Sequence, residues 1–279
     1  MDTVLAMTDP GRRSAFETVN LSLDAGVARI ELNRPDSMNA WNRQLGLDLL
    51  AAVRSVADDD EARAVLLTGA GRSFSSGADL KDMSGRDEVT PGGRPDVRRV
   101  LTERYHPIIT GIRHMPKPVV AAVNGPAVGI GLSLALAADL IVAKESAYFL
   151  LAFVNIGLVP DGGSSLFVPT RVGMARATEM AMLGERVPAR TALKWGLINR
   201  VFADEDFDEG VAALMERLAS GPTRSYAGTK RQLNNWLYAR MEEQLELEAD
   251  IQDEMAHSDD FLAGVMAFAE KRRASFGGR

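Results

Sequence analysis

Lys117-Pro118-Val119-Val120-Ala121-Ala122-Val123-Asn124-Gly125-Pro126-Ala127-Val128-Gly129-Ile130-Gly131 is the stretch on which the fold turns. Val119–Val123 is an unbroken apolar run of strand length, as expected of a strand buried on both faces. Asn124-Gly125-Pro126 turns the chain. An apolar helix then opens at Gly129 and runs to Ala138, and Leu140–Ala143 is a second strand-length apolar run. Strand, turn, helix and strand in this order make a βαβ-like unit with parallel pairing, so the class is α/β.

Working outward, Ala64–Thr68 reads as another buried strand, followed by the glycine- and serine-rich loop Gly69–Gly77. Upstream, Val19–Leu23 and Val27–Leu32 flank Asp24-Ala25-Gly26, a hairpin signal. Leu45, Leu49, Leu50, Val53 and Val56 recur at three- and four-residue steps and predict a helix that ends in the acidic run Asp58–Glu61. Residues 84–96 predict a surface loop, and 96–115 a helix ending before Pro116 and Pro118. From about Phe207 the pattern changes to amphipathic helices, with Pro222 in a first turn and Ser258 as an N-cap before Asp259-Asp260. The expected organisation is a mobile tail (1–15), a β/α core (16–205) and a helical C-terminal segment (206–279).

Composition excludes more than it selects. The 279 residues are 46% hydrophobic and 25% charged, which is ordinary for a globular chain. The absence of cysteine removes disulfides, thiolate metal sites and a cysteine nucleophile, and three histidines make a histidine metal site improbable. A net charge of -6 argues against nucleic acid as the default partner. No apolar run reaches the roughly 20 residues of a membrane span, and Met1–Arg13 lacks a signal-peptide core. The expectation is a cytoplasmic protein with no metal, no nucleic-acid partner and no membrane partner.

Gly129-Ile130-Gly131 after a strand invites a dinucleotide fingerprint, but Leu134 stands where that pattern needs Gly or Ala. No G-x-x-x-x-G-K-[ST] or G-x-S-x-G motif occurs. The other use of such a loop is an oxyanion hole. The first N–H groups of a helix have no internal partner and carry the positive end of its dipole. A second donor from Ser75-Ser76-Gly77 could converge on the same oxygen.

Phe74-Ser75-Ser76-Gly77-Ala78-Asp79-Leu80 resembles the F-x-x-G-x-D-[LI] motif of the enoyl-CoA hydratase/isomerase (crotonase) superfamily. Leu32-Asn33-Arg34-Pro35 with Met38-Asn39-Ala40, Lys117–Gly125, Ala137-Ala138-Asp139-Leu140, Gly157–Gly163 and Trp195-Gly196-Leu197-Ile198 resemble its other blocks in order. The likeness runs from about residue 17 to 275. It implies a crotonase-like β/α spiral with a C-terminal helical trimerisation segment, in a homotrimer or a hexamer built as a dimer of trimers. It implies an acyl-CoA thioester substrate of the kind met in fatty acid metabolism, with coenzyme A as part of the substrate and no separate cofactor. By position it assigns the oxyanion N–H groups to Ser76 and Ile130, flanked by Gly77, Gly129 and Gly131. Ala78, Asp79 and Leu80 would line the nucleotide part of the ligand, and Met38 and Ala40 would add contacts. Phe268 and Lys271 would reach the ligand of a neighbouring subunit.

Hydratases of this family use two glutamates to grip water. Ser133 and Phe153 stand at those two positions. Asp161, after Pro160, is the remaining carboxylate, resembling the acid of enoyl-CoA isomerases and their ring-isomerising relatives. One carboxylate can take a proton from one carbon and return it to another, and Phe153 beside it as substrate-binding wall would raise its basicity. The expectation is an isomerase-like enzyme with Asp161 as proton shuttle. The alternatives are an acyl-CoA-binding protein without turnover, and a hydrolase or dehalogenase with Asp161 as nucleophile and His106 as base. Asp161 could also be a plain N-cap of the helix that follows.

Overall fold

The computed structural model describes residues 12–81, 89 and 94–279, with the backbone alone for 12–15. The chain begins with β1 (Arg12–Ala15), β2 (Val19–Asp24) and β3 (Val27–Leu32), an antiparallel meander. Arg12–Ala15, expected in the tail, therefore pair with β2; residues 1–11 lie outside the described residues. The β2–β3 turn is Ala25-Gly26 with φ of 46° and 78°. Two successive left-handed residues match the twist of a two-residue hairpin.

The core then spirals through α1 (Arg43–Ala57), β4 (Ala64–Gly69), α2 (Val97–Val100), a π-helical turn (Leu101–Tyr105), α3 (His106–His114), β5 (Val119–Val123), β6 (Ala127–Val128), α4 (Ile130–Ala137), β7 (Leu140–Lys144) and β8 (Tyr148–Leu150). It closes through α5 (Ser164–Val172), α6 (Met174–Leu183), β9 (Val187–Pro188), α7 (Ala189–Trp195) and β10 (Arg200–Phe202). The main sheet has the order β1-β2-β3-β4-β5-β7-β10, parallel from β3 onward. A small sheet, β6-β8-β9, stands beside it. The predicted helix over 96–115 is one run of helix, but its middle is the π turn.

Four helices follow: α8 (Phe207–Ser220), α9 (Thr223–Leu237), α10 (Met241–Ala256) and α11 (Asp259–Ala269). Ser258 caps α11 as expected, accepting from Phe261 N–H.

Successive residues of a strand point to opposite faces. In β4, Val65 and Leu67 join the large core under α1, α3 and α4, while Ala64 and Leu66 join a second cluster with Phe207, Val211, Leu214 and Met215 of α8. Covering both faces explains why β4 and β5 are unbroken apolar runs. It also means that packing crosses the change of pattern near residue 205. The helical segment supplies one of the two layers that bury the sheet.

The C-terminal end of α4 is held by two cations, Arg113 buried and Arg171 half-buried. Arg113 Nη1 donates to the Ala137 carbonyl at 3.1 Å, and Arg171 Nη2 to Leu136 and Ala138 at 3.1 Å each. Positive charge suits the negative end of a helix dipole. Asp139 follows, with Arg113 at 3.2 Å and Lys230 at 2.8 Å, and accepts Val119 N–H at 2.8 Å.

Candidate active site

A cavity of about 310 Å³ lies between the loop after β4, the start of α4, the α2–π-turn helix and the C-terminal helices. Its wall is largely apolar: Trp41, Val97, Leu101, Tyr105, Phe153 and Ile156 contribute, and the Trp41 and Tyr105 rings meet edge to face at 4.9 Å. Within the helix, Val97, Val100, Leu101, Arg104 and Tyr105 all line the cavity. Their three- and four-residue spacing puts them on one face of the helical run.

Two backbone segments meet at the cavity floor. Ser75 and Ala127 pair as a parallel bridge, with Ser75 N–H to Pro126 O at 3.0 Å and Val128 N–H to Ser75 O at 2.9 Å. This closeness dictates glycine. A Cβ on Gly77, whose φ is 95°, would stand 3.1 Å from the Val128 carbonyl oxygen. Gly129 (φ 53°) lies opposite and starts α4. Gly131 is not part of the cavity wall. It is small because a Cβ there would stand 2.6 Å from the Ser75 side chain.

The expected donor pair is half corrected. Ile130 N–H, at the first turn of α4, has no acceptor among the described residues. Ser76 lines the cavity, but its N–H is spent on the Met38 carbonyl at 3.0 Å. The available N–H is that of Ala78. Gly77 O accepts from Trp41 N–H at 2.8 Å and Asp79 N–H donates to Trp41 O at 2.9 Å. Strand-like pairing on both sides of Ala78 turns its own N–H the other way, and it too has no acceptor among the described residues.

Asp161 is 5% exposed and lines the cavity. Its Oδ2 accepts from Gln252 Nε2 at 2.8 Å, whereas Oδ1 is buried without a partner. Burial, and next the nearby Glu248 charge, push its pKa up to about 8, against the lowering effect of the Gln252 hydrogen bond. The side chain does not cap α5, whose N-cap is Gly163. Only the Asp161 carbonyl serves the turn, accepting from Ser164 N–H and Oγ and from Ser133 Oγ at 2.7 Å. Ser133 is thus a tie between α4 and the Asp161 loop, and Phe153 is cavity wall. The cavity's other carboxylates are engaged elsewhere: Asp79 pairs with Arg34 at 3.0 Å, and Asp96 caps α2.

The remaining expected residues divide. Leu80 lines the cavity; Ala40 is buried behind it, its carbonyl accepting from Arg34. The Met38 side chain is outside the cavity wall, and its contribution is the carbonyl that takes Ser76 N–H. Phe268, expected at a neighbouring subunit's ligand, lines the cavity of its own chain. The cause is backbone-to-backbone packing of α11 on the turn Phe153–Ile156: a Cβ on Gly264 would stand 2.6 Å from Ile156 Cα. Lys271, just beyond α11, is not in the wall. His106 is buried with its pKa lowered to about 4, chiefly by desolvation, and does not line the cavity, although Arg104 and Tyr105 do. Motif order gave no sign of Gln252 or Glu248, which lie on α10.

Backbone donors and one desolvated acid in a largely apolar cavity are the parts that an oxyanion-stabilising site requires. The enoyl-CoA hydratase/isomerase family pattern matches residues 22–279, and the chain belongs to this family of the crotonase superfamily. It is 42% identical to a probable enoyl-CoA hydratase of Rhodobacter capsulatus, covering 95% of this chain and all of the relative. It is 37% identical to the 1,2-epoxyphenylacetyl-CoA isomerase of Escherichia coli, over 95% of this chain and all of that one. A crystal structure of an enoyl-CoA hydratase from Mycobacterium avium subsp. paratuberculosis superposes with a TM-score of 0.85 at 37% identity, covering 94% and 99% of the two chains. Hydratase and isomerase names occur at similar distance, so the choice of reaction falls to the site.

Proposed function

We propose that the enzyme shifts a double bond within an acyl-CoA, with Asp161 as the single proton shuttle. The observation that carries this is the free, desolvated Asp161 Oδ1 in a cavity whose other carboxylates are engaged. With a 3-enoyl-CoA, Oδ1 of ionised Asp161 takes a proton from C2. The electron pair of that C–H bond delocalises onto the thioester oxygen as a dienolate. Ala78 and Ile130 N–H hold that oxygen, each worth roughly 10²–10³ in rate. The proton returns at C4, the C3–C4 double bond becomes C2–C3, and Asp161 is ionised again. A pKa near the working pH suits a group that must both take and give the proton.

Hydration needs a second carboxylate to hold the water, and Ser133 and Phe153 supply none. Incubation of 3-enoyl-CoA and 2-enoyl-CoA with wild type and Asp161→Ala tests the proposal. Interconversion of the two by wild type, lost in the variant, is expected. Rapid formation of 3-hydroxyacyl-CoA overturns the exclusion of hydration, and full isomerase activity in Asp161→Ala overturns the base. Tight acyl-CoA binding with no product would mark a binding protein instead.

The assembly is proposed to be a trimer or a pair of trimers. Trp236, Leu233 and Leu237 of α9 are exposed, Trp236 at 84%, as are Met174 and Met182 of α6. Apolar surface of this extent is typical of faces covered in an oligomer. Light scattering of the eluting protein reads the copy number.

A further inference from the structure

Two side chains of α10 reach the Asp161 loop from far along the chain, one helical turn apart. Gln252 and Glu248 are buried, 1% and 3% exposed. Val159 N–H donates to Gln252 Oε1 at 3.0 Å. A backbone N–H can only donate, so it fixes which end of the Gln252 amide is oxygen. Nε2 then has to face Asp161 Oδ2, 2.8 Å away. Nε2 can only donate in turn, so Oδ2 stays an acceptor whether or not Asp161 carries its proton. The proton is left to Oδ1.

Glu248 sits behind this contact. Its Oε2 accepts Gly163 N–H at 2.7 Å, and its Oε1 accepts Ser165 N–H at 3.1 Å and the Ser165 hydroxyl. Gln244 Nε2 donates to the same Ser165 hydroxyl at 2.9 Å. Among the described residues, three donors and no cation hold this carboxylate at the start of α5. Burial pushes its pKa up to about 7, against the lowering effect of those donors. From the other elements around Asp161, α4 offers Ser133, and the charged cavity residues are Arg43, Asp79, Asp96 and Arg104. On the far side of α10, Glu246 and Asp250 hold Arg98.

We propose that Gln252 and Glu248 are positioning residues for Asp161: Gln252 holds Oδ2 so that Oδ1 alone exchanges the proton, and Glu248, anchored on the same loop, is a neighbouring carboxylate that raises the pH at which it does so. This rests on the proton-shuttle role proposed above. Glu248 does not line the cavity; Gln252 does, beside Asp161, with both ends of its amide engaged by Asp161 and Val159. α10 therefore carries part of the reaction's control although it lies outside the β/α spiral.

The test follows Asp161 directly and through turnover. ¹³C-carboxyl titration of Asp161, and the pH profile of kcat/KM on 3-enoyl-CoA, are recorded for wild type, Glu248→Gln, Glu248→Asp and Gln252→Met. Glu248→Gln is expected to lower the Asp161 midpoint and the profile midpoint together by about one pH unit, and Glu248→Asp to restore both. Gln252→Met is expected to lower kcat about tenfold with KM within twofold. Glu248→Gln and Gln252→Met bound to the same CoA ligand with unchanged Asp161 midpoint and unchanged kcat overturn the proposal. A loss of activity that the Glu248→Asp variant does not rescue, with no change in midpoint, also overturns it, because that is the mark of structural damage. If Asp161→Asn keeps its isomerase activity while Glu248→Gln still moves the Asp161 titration, the shuttle fails and the positioning contact stands. If Asp161→Asn is inactive and the titration does not move, the shuttle stands and the positioning fails.

Discussion

Asp139 and Asp161 are both aspartates placed just beyond or before a helix in the same α/β core, and their surroundings are opposite. Asp139 sits between Arg113 and Lys230 and accepts a backbone N–H. Asp161 meets the amide of Gln252, the carboxylate Glu248 at a distance, and no cation among the described residues. The first arrangement holds a negative charge in place; the second makes the charge costly and the proton easy to keep. Cations around a carboxylate therefore mark a structural part here, and their absence marks the part proposed for proton transfer.

The sharpest way to break this comparison is to neutralise each carboxylate in turn. Asp161→Asn is expected to lower kcat on 3-enoyl-CoA by about 10²–10⁴, with ligand affinity little changed and no loss of stability at pH 7.5. Asp139→Asn is expected to do the reverse. It leaves Arg113 and Lys230 facing no counter-charge and costs of the order of 3 kcal/mol in denaturant titration, with activity surviving in the folded fraction. Should both variants lose stability equally, the distinction fails.

A smaller effect lies in the pH dependence of stability. The folded protein keeps the Asp161 proton up to about pH 8, whereas the unfolded chain releases it near the ordinary value of 3.8. Between those limits the folded state binds the extra proton, so stability falls as pH rises. Glu248, raised to about 7, acts in the same direction. Urea titrations at pH 5 to 8 are expected to show a slope shallower in Asp161→Asn by up to about 1.4 kcal/mol per pH unit. The smallest effect belongs to Lys230→Met. It leaves one cation on Asp139 and mainly removes the bond from Lys230 Nζ to the Ile112 carbonyl, at about 1 kcal/mol.

The strands, the hairpin and the Ser258 cap were legible because each depends on neighbours in sequence. Asp161 and the replacements Ser133 and Phe153 were legible because they fall at fixed offsets inside motifs. Ser76 was misplaced by two residues for a physical reason. Whether an N–H is free depends on the Met38 carbonyl and on the pairing of Trp41 with Ala78, neither of which a motif records. That Phe268 lines the cavity of its own chain was not legible, because the packing of Gly264 on Ile156 cannot be read from an amphipathic stripe. Gln252 and Glu248 lie 91 and 87 positions from Asp161, on a helix whose pattern shows only an ordinary polar residue and an ordinary charge.

The reach of α10 back to the Asp161 loop also orders events during synthesis. A ribosome completes the strands, both glycine loops and Asp161 well before it reaches Gln252. Until then the emerging chain holds an aspartate with no amide on Oδ2 and no helix closing the cavity behind it. Chains that stop short of α10 carry every motif by which the family is known and lack the contact that presents the acid. On the proposed mechanism, catalytic competence is gained late, near the end of translation, once the C-terminal helices can pack on a core that already exists.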